Sequence, residues 1–311
     1  MNALLPEIHS HVPLAPRTTW RIGGAAAQFA VPRTLEEVFA LFKLAEDRGW
    51  PLFFLGRGSN VLVDDAGLPG LTLQVGGLTG LSRQGDRLRA GAGVALPKLS
   101  RRLADLGLAG FEFLEGIPGT VGAGVRLNAG AFGQQLAERL TRVWVATPAG
   151  RLLEFTPAEL QPAYRSSRLL FFPHWLVVEA EFHLPGEDDP AAIRARMAEL
   201  AVRRRTVQPS NPRSCGSVFK NPPQGPPAGR LIDEAGLKGK RMGDAVVSRK
   251  HANFILNAGR ATAAQVKALI ALIQEEVWRR FGVALEREVV FLPEDLSGAG
   301  GNAGQGPVSL L

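Results

Sequence analysis

Apolar residues recur along the chain at two periods, near 3.6 and near 2, and the switches between them mark out the elements. Thr34 and Glu37 form a capping-box pair at the start of a helix whose apolar side carries Leu35, Val38, Phe39 and Phe42, with Gly49 as its stop. Two short strands follow, Pro51 to Leu55 and Val61 to Val63, on either side of the tight turn Gly56-Arg-Gly-Ser-Asn60. Further strands are expected near 71–75, 87–90, 142–147, 151–155 and 175–183. Leu96, Leu99, Leu103 and Leu106 mark a second helix, closed by Gly107.

From about residue 189 the pattern changes. A helix over 189–205 has Asp189 as N-cap, Pro190 in its first turn and an apolar stripe of Ile193, Met197, Leu200 and Ala201. A stretch rich in Gly, Pro and Ser runs from 207 to 229, then strands near 245–248 and 253–256. Thr262 and Gln265 open a long helix that buries Val266, Leu269, Ile270, Ile273 and Val277 and ends at Gly282. A last strand runs from Leu285 to Leu292. Strands and helices are thus mixed in both halves, an α+β chain. The change of pattern divides the chain into a mixed first domain, a compact second domain from about 189, and a Gly-rich tail (294–311) too poor in apolar residues to order itself.

A length of 311 residues with 45% hydrophobic content suits two cores rather than one. No apolar run is long enough to cross a bilayer and the first residues lack a signal-peptide pattern, so a cytoplasmic protein without membrane insertion is expected. One cysteine and five scattered histidines offer no metal-binding spacing. The net charge of +7 favours anionic partners. Its densest cluster, Arg194, Arg196, Arg203, Arg204 and Arg205, falls on the 189–205 helix with no aromatic residue interleaved, which fits a solvated helix face better than a nucleic-acid surface.

Candidate chemistry begins with glycine. Leu55-Gly-Arg-Gly-Ser-Asn60 and Gly116-Ile-Pro-Gly-Thr-Val-Gly-Ala-Gly-Val125, which runs into Asn128-Ala-Gly-Ala-Phe-Gly133, can turn several backbone amides toward one anion and let a diphosphate approach closely. Neither matches a P-loop or a dinucleotide-binding fingerprint, and each taken alone could equally be an ordinary tight turn.

In order along the chain, the following segments resemble those of the UDP-N-acetylenolpyruvoylglucosamine reductases: Thr19-Trp-Arg-Ile-Gly-Gly24; Leu55-Gly-Arg-Gly-Ser-Asn-Val-Leu-Val63; Gly116-Ile-Pro-Gly-Thr-Val-Gly122 with Asn128-Ala-Gly-Ala-Phe-Gly133; Tyr164-Arg-Ser-Ser167; Gly216-Ser-Val-Phe-Lys-Asn-Pro222; Leu231-Ile-Asp-Glu-Ala-Gly-Leu-Lys-Gly239; His251-Ala-Asn-Phe-Ile-Leu-Asn257; and Leu285-Glu-Arg-Glu-Val289. They span residues 19 to about 291. The resemblance implies an N-terminal arm (1–18), a vanillyl-alcohol-oxidase (PCMH) type FAD-binding domain of two α+β lobes (19–185) and a smaller α+β substrate domain (189–293). It also implies the shorter subtype, because the segment between Tyr164 and the strand at 175 has no room for an extra tyrosine-bearing loop.

The chemistry so implied passes hydride from NADPH to non-covalently held FAD and from flavin N5 to C3 of the enolpyruvyl ether of a UDP-sugar, with a proton delivered to C2. The positions that match the family's catalytic residues are Arg165, for the substrate carboxylate and developing enolate, Ser217, as proton donor, and Glu288. FAD contacts carry over to Gly56, Arg57, Gly58, Ser59, Asn60, Gly119, Thr120, Gly122, Ala123, Asn128 and Gly130. Substrate contacts carry over to Tyr164, Lys220, Asn221 and Lys238. A monomer is the expected state.

Read locally, Glu286 and Glu288 share one face of the last strand with Val290, Ser217 suits a turn, and Arg165 suits a structural ion pair. Cys215 is expected to face away from Ser217 along an extended segment and so to be neither donor nor nucleophile. His174 and Cys215 stay open as flavin tethers. The run Gly122-Ala-Gly124, Arg126 and Asp244 depart from the family pattern. Two other functions stay open: an FAD-dependent oxidase of a hydroxy acid or sugar, which would lack the Gly216–Pro222 and Leu285–Val289 motifs, and a colourless nucleotide- or RNA-binding protein.

Overall fold

A computed structural model describes residues 5–209 and 213–297. Helix Leu35–Arg48 forms where the capping box foretold: the Thr34 hydroxyl accepts from the Glu37 amide, and Gly49 ends it at φ +62°. Val38, Leu41, Phe42 and Ala45 make its buried side, while Leu35 and Phe39 are only partly covered. It links two strands of a four-stranded sheet ordered Ile8–Pro13, Ala25–Ala30, Leu68–Gln74, Leu52–Leu55. The first pair is antiparallel and the others are parallel, as a helical crossover requires. Ile8–Pro13 is therefore an edge strand of this sheet, not part of a separate arm.

The second lobe is an antiparallel sheet ordered Leu152–Phe155, Leu140–Ala146, Leu176–His183, Arg87–Gly91, Leu81–Gln84. Helix Leu96–Asp105 packs Leu96, Leu99 and Leu103 into the core. Leu106 was expected in that stripe. The helix ends one residue before it, which leaves it 52% exposed while Leu108 turns inward.

The smaller domain wraps a three-stranded sheet (Arg241–Met242, Ala245–Val247, Ile255–Asn257) around helix Ala263–Phe281. Thr262 and Gln265 form the expected reciprocal cap, and Gly282 closes the helix at φ +66°. The division in sequence is not a clean division in space. Trp20, Ile22 and Leu62 lie in this domain's core, and the Trp20 indole donates to the Ile255 carbonyl at 2.8 Å.

The expected strand 285–292 is regular only over Val290–Leu292, which pairs parallel with Val61–Val63. Upstream of it the chain rejoins the small domain, with Glu288 N–H donating to Val218 O at 2.8 Å. Glu294–Ser297, expected in the tail, forms one further helical turn, with Asp295 paired to Arg287. Residues 298–311 lie outside the described residues. Among the described residues, no helix is long and apolar enough to cross a membrane.

Candidate active site

Strand Leu52–Leu55 delivers the first glycine loop, and strand Val61–Val63 carries the chain away into a different sheet. Arg57, Gly58, Ser59 and Asn60 sit between the two with their backbone N–H groups donating to no acceptor among the described residues. Gly58 has φ +60°, and a Cβ there would lie 2.4 Å from the Arg17 carbonyl, so only glycine closes this turn. Its own carbonyl accepts from Thr19 N–H at 3.0 Å, which pins the loop from outside.

The second glycine segment faces the first. Thr120 Oγ1 would be 3.0 Å from a Cβ on Gly56, and it is buried without a hydrogen-bond partner. Gly122 is small for packing, since a Cβ would meet that of Ala92 at 2.8 Å. Gly56, Arg57, Gly58, Ser59, Asn60, Gly119, Thr120, Gly122 and Ala123 all line one cavity, as expected. Four free amides in a row and an orphaned buried hydroxyl on the facing wall fit a bound diphosphate cofactor.

Ser59, Asn60, Gly119, Ala123 and Leu127 are shared with a second cavity, onto which Arg165, Ser217 and Glu288 all open. Arg165 stands at φ +53° in a short turn whose flanks Ala163 and Ser166 pair with each other. Its Nε donates to Glu288 Oε1 at 2.7 Å and its Nη2 to Gly130 O at 3.3 Å. Gly130 thus serves the second cavity through its carbonyl. Asn60 Nδ2 donates to the Glu288 carbonyl at 3.0 Å, so the first loop also holds the backbone that carries the carboxylate. Burial pushes the Glu288 carboxyl above its ordinary range, against the pull of Arg165 and, more weakly, of Lys220. The Ser217 hydroxyl has no hydrogen-bond partner among the described residues and opens to the cavity.

Glu286 and Glu288 border one cleft, but so do Arg287 and Val289 between and beyond them, so the expected strand alternation does not hold here; the side chain of Glu286 is 72% exposed and that of Glu288 only 15%. Burial therefore separates the two carboxylates.

Other expected contacts are not brought together. Asn128 is buried and saturated: its Nδ2 donates to Gln135 Oε1 and Ala163 O, and its Oδ1 accepts from Ala137 N–H. It shapes the loop from behind and lines neither cavity. Tyr164, Asn221 and Lys238 line neither cavity as well, while Lys220 borders the neighbouring cleft that Arg165 and Glu288 also line. Tyr164 is 53% exposed beside the Arg165 guanidinium, Lys220 pairs with Glu286, Lys238 pairs with Asp233, and Asn221 accepts from Ala228 N–H. Cys215 and Ser217 both border the second cavity, contrary to expectation, because the segment is not extended between them: Gly216 bends it at φ +83°. The thiol is buried and pushed well above its ordinary range, so it stays protonated.

Two cations that the sequence reading named but did not place at the site border it. Arg126 lines the first cavity and donates to the Trp175 and Phe172 carbonyls, and burial pulls its pKa down to about 10. Arg204 borders the second cavity. The signal available for both was charge at the edge of a glycine-rich segment, which solvated arginines share.

Comparison with known proteins agrees with this geometry. Residues 26–156 match the family model described as FAD binding domain, and residues 208–292 match that of the UDP-N-acetylenolpyruvoylglucosamine reductase C-terminal domain. The UDP-N-acetylenolpyruvoylglucosamine reductase of Shouchella clausii is 42% identical over 94% of this chain and 94% of its own. That of Synechococcus sp. (strain WH7803) is 45% identical over 91% and 92%. The crystal structure of the Thermus caldophilus UDP-N-acetylenolpyruvylglucosamine reductase superposes with a TM-score of 0.79 at 38% identity, covering 92% of this chain and 98% of that one. With its two glycine loops, its paired Arg165 and Glu288 and relatives of this closeness along nearly its whole length, the chain belongs to the UDP-N-acetylenolpyruvoylglucosamine reductase family of flavin-dependent oxidoreductases.

Proposed function

We propose that this protein reduces the enolpyruvyl ether of UDP-N-acetylglucosamine-enolpyruvate to UDP-N-acetylmuramate with NADPH as the electron source, as a cytoplasmic monomer that makes cell-wall precursor. The carrying observation is that Arg165, Glu288 and Ser217 border one cavity whose wall is continuous with the loop of free amides. FAD, when bound and reduced by NADPH, would supply a hydride to C3 of the enolpyruvyl group. Gly56 to Asn60 with Gly119 and Thr120 would hold its diphosphate.

The work left to the side chains is to manage one negative charge and one proton. Arg165 presents a permanently charged fork to the substrate carboxylate, so charge that develops there is met by a cation already in position. In the ligand-free arrangement that fork is held by Glu288. A substrate carboxylate arriving at Arg165 brings a second negative charge beside a carboxyl whose affinity for a proton is already raised, so Glu288 takes up a proton and turns from acceptor to donor. Ser217, with its hydroxyl open to the cavity, gives the proton to C2 and recovers one from solvent there.

An anaerobic two-step experiment tests this. NADPH is expected to bleach the yellow protein, and the UDP-enolpyruvyl sugar to restore its colour. Flavin that ignores the sugar but is rapidly reoxidised by air would point to an oxidase. A colourless protein that FAD cannot reconstitute would remove the flavin chemistry altogether.

A further inference from the structure

The arginines of helix Pro190–Val207 do not share one fate. Arg194 pairs with Asp105, and Arg196 pairs with Glu112 and Asp188. Arg203 lies over the Phe132 ring. Arg204 is half-buried, borders the cavity of Arg165, Ser217 and Glu288, and its guanidinium makes no hydrogen bond and no ion pair among the described residues. Its stem packs on Gly116, where a Cβ would come within 2.8 Å of Arg204 Cδ and 2.9 Å of Nη1. The second glycine segment therefore begins with a residue small enough to let this side chain lie along the cavity wall.

A cation withdrawn from water without a counter-charge is costly, and here the cost is increased by Arg165, whose like charge acts on Arg204. Among the described residues Glu288 is the only carboxylate on the cavity wall, and it is held by Arg165. Two guanidiniums and one carboxylate leave the cavity with an excess positive charge. Meanwhile Lys220 and Lys238, the lysines expected to meet the substrate, are paired with Glu286 and Asp233, and Lys220 borders the neighbouring cleft that Arg165 and Glu288 also line.

We propose that Arg204 is the substrate-binding cation of this cavity and receives the diphosphate of the nucleotide-sugar. This deepens the function proposed above and rests on it. The guanidinium offers several N–H donors to two bridged phosphates, and the ligand cancels the charge that the empty cavity carries. An organic diphosphate could come from two sources, the nucleotide-sugar or the flavin dinucleotide. The four free amides of the first loop already serve the latter.

The test titrates UDP into the FAD-loaded protein, following the flavin absorbance, and FAD into the flavin-stripped protein, for wild type, Arg204→Gln and Arg204→Lys. Arg204→Gln is expected to weaken UDP binding on the order of 10- to 100-fold, with Arg204→Lys between it and wild type and FAD affinity the same in all three. UDP affinity unchanged in both variants overturns the assignment. Loss of FAD affinity with UDP binding intact overturns it in favour of the cofactor as the source of the diphosphate. Wild-type protein that does not bind UDP at all would remove the assignment together with the reductase reading, whereas UDP binding in wild type that ignores position 204 removes the assignment alone. Thermal unfolding of Arg204→Lys checks that the fold is retained.

Discussion

Arg165 Nε and Glu288 Oε1 meet at 2.7 Å although 123 residues separate them, and the contact ties the first domain to the second at the cavity they share. The pair is partly withdrawn from water, with 25% and 15% of the two side chains exposed. Removing one partner leaves the other as a poorly solvated charge, so each depends on the other more than a surface pair would.

The raised affinity of Glu288 for a proton has a pH signature. A carboxyl whose pKa is higher in the folded than in the unfolded chain gives its full contribution to stability below the unfolded value, near 4.5, and loses it as pH rises through the folded value. Glu288→Gln has no such term. The unfolding free energy of wild type minus that of the variant is therefore expected to decline from about pH 4.5 upward and to level off above the folded value. Urea melts across that range check it. A difference that grew with pH would mean that Arg165, not burial, sets the proton affinity of Glu288.

Ser217→Ala separates the two half-reactions. NADPH is expected to bleach the flavin at the wild-type rate, because no hydroxyl is needed there, while reoxidation by the UDP-enolpyruvyl sugar slows by roughly 10²- to 10⁴-fold. Stopped-flow absorbance of each step decides. Equal slowing in both would make Ser217 a structural turn residue.

Local chemistry was legible in the sequence and distant pairing was not. The caps at Thr34 and Thr262 are contacts over three residues; the Thr262 box closed in both directions, while at Thr34 the hydroxyl accepts from Glu37 N–H but the Glu37 carboxylate takes the Arg33 amide instead. The turn Gly56–Asn60 was recognisable too, but nothing in it says that its two strands enter different sheets, which depends on Val61 finding Val290. Trp20 looked like first-domain material and lies instead in the second core, held by a hydrogen bond over 235 residues. At the cavity, the resemblance located Arg165, Ser217 and Glu288. It could not say that Lys220 is taken by Glu286, because that pairing needs Phe219 to bridge to Arg287.

Asn128 is expected to matter for stability and not for flavin affinity. Its amide makes three hydrogen bonds, and its backbone sits at φ +44°, which asparagine tolerates better than most residues. Asn128→Ala loses all three bonds and strains the backbone, a cost of about 2–4 kcal/mol. Asn128→Gly relieves the backbone alone and is expected to fall between. Denaturant midpoints rank the three proteins. A stable Asn128→Ala protein that has lost FAD would show that the side chain reaches the cofactor after all.

Thr120 carries a prediction in which stability and affinity move in opposite directions. Its hydroxyl is buried beside Gly56 and has no hydrogen-bond partner among the described residues, a penalty of about 1–3 kcal/mol for an orphaned polar group. Thr120→Val keeps the shape and removes the polar atom. The flavin-stripped variant is therefore expected to melt at the same temperature as wild type or higher. If the hydroxyl is kept for the cofactor's diphosphate, the same change should weaken FAD binding about tenfold, since a lost hydrogen bond to an anion is of that order. Thermal melts without FAD and fluorescence titration with it read the two effects separately. A variant that is destabilised when stripped, with FAD affinity intact, would mean that the hydroxyl serves the fold and that the diphosphate is held by the loop amides of Arg57 to Asn60 without it.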